Sequence, residues 1–109
     1  MAISTDYLDF VLDQLSNWRT VRPKKMFGCI GLYAEGVIFG VIAKETVFLK
    51  VDDTNKKHYI EAGSESLKLF KNNTTVPSYY EVPIDILENA EQFTTWAEQS
   101  LTIQMSRSK

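Results

Sequence analysis

The stretch KMFGCIGLYAEGVIFGVIAKETVFLKV, residues 25–51, decides the fold. In it, short β-branched and aromatic runs alternate with glycine: Met26-Phe27, Ile30 to Tyr33, Val37 to Ala43, and Val47 to Val51. Bounded by turns at Glu35-Gly36 and Lys44-Glu45, they read as three strands, and connections this short permit only antiparallel neighbours. Gly28 and Gly31 inside the first strand predict a bulge or a close backbone approach, because glycine adds nothing to strand packing. In the third strand Val47, Leu49 and Val51 point one way, Phe48 and Lys50 the other. One of those faces belongs to the core. If Phe48 shares the other with Tyr33, Phe39 and one of Tyr79 or Tyr80, that face is aromatic where a two-layer fold would leave it wet. Such a patch marks an interface.

Working outward, Leu8, Val11, Leu12, Leu15 and Trp18 recur at three- and four-residue steps, predicting an amphipathic helix from about Thr5 to Trp18 capped by Ser4 or Thr5. Downstream of the strands, Asp52-Asp53-Thr54 supplies an N-cap for a short helix that stops at Gly63. Two weaker strands, near Leu67 to Phe70 and Ser78 to Val82, form a second hairpin around the polar turn at 71–75. Asp85 and Glu88 form an acidic variant of the capping box. A final helix then carries Phe93, Trp96, Ala97 and Leu101 on one face. The order helix, three strands, helix, two strands, helix predicts a two-layer α+β domain with an antiparallel sheet.

A length of 109 residues fits one domain spanning 1–109, with its core at about 5–104. The 44% hydrophobic content suffices for a core without disulfide or metal staples. Twelve basic against fourteen acidic residues leave a net charge of −2, which supplies no general attraction for polyanions. The longest apolar stretch, Ile38 to Ala43, is too short to span a bilayer, and the N-terminus lacks a signal-peptide pattern. Its single cysteine, Cys29, fits a reducing compartment, so we expect a cytoplasmic protein with no membrane partner.

Chemistry-bearing constellations are sparse. With one histidine, His58, and one cysteine, no metal-ligand spacing occurs, and the glycines form no phosphate-binding loop, so no metal or cofactor is expected. A Cys29–His58 pair would need the two side chains within hydrogen-bond reach, but a thiol between Phe27 and Ile30 reads as a small packed hydrophobe. The sequence therefore reads as non-enzymatic. Charge concentrates only at Arg19, Arg22, Lys24 and Lys25, a cluster that suits a phosphate backbone, an acidic protein, or simply water.

The run Lys24-Lys25-Met26-Phe27-Gly28-Cys29-Ile30-Gly31-Leu32-Tyr33 resembles the opening of the N-terminal domain of the TfoX/Sxy family of bacterial competence regulators. Gly36 to Gly40, Phe48 to Asp52, Ala62-Gly63-Ser64, Tyr79 to Pro83 and Trp96-Ala97 follow in the family's order. The resemblance implies the same order of elements, in a fold similar to type III secretion chaperones. It also implies a part in switching on competence genes together with the cyclic-AMP receptor protein. Longer members carry a second helical domain, which this chain ends too early to contain; Cys29 stands where glycine is common. The expectation is a stand-alone regulatory module that binds a protein partner or a second copy of itself. Tyr33, Phe39 and Phe48 would be its apolar contacts and Arg22, Lys24 and Lys25 its charged rim. Direct nucleic-acid binding through the basic cluster is the alternative.

Overall fold

The computed structural model describes residues 5–26, 29–43, 46–69 and 74–107. Helix α1 (Thr5–Gln14) ends four residues before Trp18. The chain then tightens into turns, with Trp18 N–H donating to the Leu15 carbonyl at 3.0 Å. Val11 and Leu15 are fully buried, as their spacing predicts.

The region read as three strands contains four: β1 (Arg22–Met26), β2 (Cys29–Ala34), β3 (Val37–Ala43) and β4 (Thr46–Lys50). The correction is β1. Pro23 and three cations read as a solvated connector, yet the segment pairs antiparallel with β2 from Arg22↔Tyr33 to Met26↔Cys29. It is an outermost strand, where proline is tolerated and lysines discourage further pairing. The β2–β3 turn is where it was expected. Glu35 (φ 55°) and Gly36 (φ 77°) both take the left-handed conformation that a two-residue hairpin turn requires. The expected turn at Lys44-Glu45 lies outside the described residues.

Helix α2 (Lys56–Glu61) begins later than Asp52-Asp53-Thr54 predicts. Asp52 Oδ1 instead accepts the Thr54 N–H at 2.8 Å, and buried Asn55 braces the entry by accepting the Asp52 N–H at 2.9 Å. Gly63 (φ 80°) ends the helix, with Ser64 N–H returning to the Tyr59 carbonyl at 2.9 Å and Gly63 N–H to Ile60 at 3.0 Å. Strands β5 (Ser66–Leu69) and β6 (Thr74–Glu81) form the second hairpin. β6 inserts beside β4, giving one six-stranded antiparallel sheet in the order β1-β2-β3-β4-β6-β5.

The Asp85/Glu88 capping box does not form: α3 (Ile84–Leu87) starts at Pro83 with no side-chain cap. Asn89 instead caps α4 (Ala90–Arg107), accepting the Gln92 N–H at 3.1 Å. Helix α4 lies across β3 and β4, α1 packs on α4, and α2 sits over β6. The main core is the seam between helices and sheet, where Val11, Leu15, Leu32, Phe39, Leu49, Tyr59, Phe93, Ala97 and Leu101 are fully buried. No described helix is long and apolar enough to cross a membrane.

Candidate interaction face

Strand alternation sorts the sheet into two faces. Ile30, Leu32 and Ala34 of β2, Ile42 of β3, and Val47 and Leu49 of β4 turn toward the helices. The opposite face carries a second apolar cluster of Val41, Ala43 and Leu67, with Cys29, Ile38, Phe48 and Tyr79 packed around it. None of those residues belongs to a helix. Each of Tyr33, Ile38, Phe48 and Tyr79 keeps part of its surface open.

Tyr33 and Phe48 thus sit where the sequence placed them, but Phe39 does not. It is fully buried: its side chain is 0% accessible and meets Trp18 edge-on, ring centroids 5.3 Å apart. The cause is a bulge. Leu32 pairs with Gly40 and Tyr33 with Ile38, so Phe39 is an extra residue in β3 and turns inward beside Gly40 instead of outward beside Tyr33. The bulge expected at Gly28 or Gly31 is therefore one strand away; Gly31 pairs regularly with Lys24 and Val41, and Gly28 lies outside the described residues. Of the two tyrosines, Tyr79 joins the outer face, while Tyr80 turns inward against Tyr59 at 6.2 Å. Burial raises the Tyr79 phenol above its ordinary value, with Tyr33 adding to the rise. The Lys50 ammonium lies over the Tyr79 ring at 5.4 Å.

The basic cluster divides. Arg22 and Lys24 register with Tyr33 and Gly31 and edge the outer face, whereas Lys25 registers with Ile30 on the helix side. All three are exposed. Arg19 leaves the cluster: its guanidinium bridges Glu35 at 2.7 Å and Glu98 at 3.1 Å, and Glu98 also accepts the Trp18 indole N–H at 2.9 Å. An open cleft of about 560 Å³ between this network and the outer face is lined by Trp18, Arg19, Arg22, Tyr33 and Glu35.

Partial desolvation alone would raise the Glu98 carboxyl, but hydrogen bonds from Trp18 and Arg19 and the Arg19 charge outweigh it and hold the group below its ordinary value. Folded Glu98 thus binds a proton less readily than unfolded Glu98. Its contribution is present above the unfolded carboxylate range, near pH 4.3, and is lost as pH falls through the lower folded value. Both partners are largely solvated, so the effect is small. Between pH 6 and pH 3, Glu98→Gln should lose less melting temperature than the wild type in scanning calorimetry; equal losses would remove Glu98 from the acid response.

Cys29 and His58 are not brought together. Cys29 packs into the outer cluster, where burial raises its thiol, while His58 sits on α2 with its ring 6.4 Å from Trp96 on the helix side. Among the described residues no group of three His, Cys, Asp or Glu side chains is placed to hold a metal.

The molecule is thus a two-layer α+β domain: helices on one side of a six-stranded antiparallel sheet, and a partly open apolar cluster with a basic edge on the other. The chain belongs to the TfoX N-terminal domain family, whose sequence model matches residues 13–103. It is a domain of the kind found in competence regulators, as the sequence blocks implied. Comparison with curated proteins gave no match.

Proposed function

We propose that this domain is a non-enzymatic, cytoplasmic interaction module in transcriptional regulation, and that it works through the outer face of its sheet. The observation that carries the reading is the second apolar cluster around Val41, to which no helix contributes among the described residues and in which Phe48 and Tyr79 remain partly open. Partly open aromatic residues beside exposed cations are the usual makings of a protein contact: the rings supply affinity and the charges steer approach. Family membership supports the regulatory setting. Nucleic-acid binding through the basic cluster draws less support, because Arg19 is engaged by two carboxylates and Lys25 lies on the other side of the sheet from Arg22 and Lys24.

The test is capture of a binding partner by tagged protein. Phe48→Ser with Tyr79→Ser should abolish capture at unchanged helical content. Undiminished capture by the folded double variant would overturn the reading.

A further inference from the structure

Resting on that reading, we infer that the outer sheet face binds a second copy of this chain, sheet against sheet, about a two-fold axis running along β3. The argument is the order of side chains across the strands. Lys24 pairs with Gly31, Gly31 with Val41, Val41 with Phe48, and Phe48 with Glu81, so these five residues form one row from β1 to β6. A cation stands at one end and an anion at the other, both exposed. Four strand spacings put them about 19 Å apart, too far to neutralise each other within one chain.

A half-turn about β3 exchanges the ends. Lys24 then lies over Glu81 of the second copy and Glu81 over its Lys24, while the partly open Phe48 ring faces the Gly31 position, where no side chain projects, and Val41, buried in each copy, lies behind the contact. The neighbouring row behaves alike. Arg22 pairs with Tyr33, Tyr33 with Ile38, and Lys50 with Tyr79. The same half-turn brings Arg22 beside the second copy's Tyr79, whose ring already holds Lys50 of its own chain, so the aromatic ends of this row meet cations and not like charges bare of a ring. A self-complementary patch of this kind is what an isologous dimer requires. The other in-plane axis, across the strands, would stack Lys24 on Lys24 and Glu81 on Glu81, and like charges disfavour it. A uniformly acidic partner, nucleic acid included, would satisfy Lys24 but meet Glu81 head-on. Two rows across five strands offer on the order of 400 Å² per copy, about 800 Å² in all, less than the roughly 1,200 Å² at which stable specific contacts begin, so the dimer should be weak and transient, with Kd on the order of 10 μM or above.

Sedimentation equilibrium across 1–300 μM, on the order of that Kd, tests it. Wild type should pass from monomer to dimer. Lys24→Glu alone and Glu81→Lys alone should each weaken the dimer about ten-fold or more, because each homodimer then holds two like-charge contacts. Mixing the two variants should restore association to within about three-fold of wild type, since only the mixed dimer pairs opposite charges at both ends. Wild type monomeric throughout, or no recovery on mixing, overturns the dimer. If Phe48→Ser with Tyr79→Ser still abolishes capture of a different protein in either case, only the dimer has failed; if capture also persists, the interaction face itself has failed.

Discussion

Phe39→Ser should come close to unfolding the domain, whereas Phe48→Ser, nine residues along the same sheet, should leave it folded. Phe39 is fully buried against Trp18. Its removal forfeits the transfer of a large ring, opens a cavity, and leaves a hydroxyl in apolar surroundings, together about 4 kcal/mol or more. That is most of the roughly 5–15 kcal/mol holding a typical domain together. Phe48 keeps part of its surface open on the outer face, so its loss costs less, about 2 kcal/mol. Urea titration of both variants measures the difference directly. Comparable midpoints, or a lower one for Phe48→Ser, would mean that β3 alternates without a bulge and that Phe39 faces outward.

Gly40→Val should cost about 2–3 kcal/mol through crowding rather than a cavity. A Cβ at Gly40 would stand 2.8 Å from the Phe48 carbonyl oxygen and 2.9 Å from Leu49 Cδ2. The side chain can turn away, but the carbonyl belongs to β4, which pairs with β3 through Gly40↔Leu49. The strands must therefore separate to admit even one carbon. Gly36 provides the contrast, because a Cβ there meets nothing within 4 Å and only the positive φ resists substitution. Gly36→Ala should accordingly cost about 1 kcal/mol. Equal losses at the two positions in thermal melts would show that the β3–β4 approach is looser than described.

The two glycines also mark how far the fold was legible in sequence. Glu35-Gly36 announced its hairpin because a two-residue turn needs positive φ, a local demand written in local residues. The bulge was hidden because Val37 to Ala43 is apolar at nearly every position, so no alternation reveals where the face changes. The one available signal was Gly40, a residue without a side chain in the middle of a strand. Strand β1 was missed for a different reason. Pro23 and its neighbouring cations carry the signature of a connector, and the sequence distinguishes a connector from a guarded edge strand only through the partner strand. Arg19 needed Glu98, 79 residues away, to be drawn out of the basic cluster.

The face itself was half legible. Tyr33 and Phe48 follow from period-two alternation, and Tyr79 was one of two tyrosines named for it. Lys50 shares the face of Phe48 by the same alternation, but Glu81 was not foreseen there, because its place depends on β6 inserting beside β4. The rows that end in Lys24 and Glu81 exist only once that topology is set.

Partner capture compared between the two sides of the molecule tests the central claim most directly. The helix side has exposed apolar residues of its own, Ile60 at 56% and Ile84 at 62% accessibility, so exposure alone does not favour the sheet. With equal amounts of folded protein, Phe48→Ser with Tyr79→Ser should abolish capture, and Ile60→Ser with Ile84→Ser should leave it at the wild-type level. Loss of capture in the helix-side pair, with the sheet-face pair unaffected, would contradict the account.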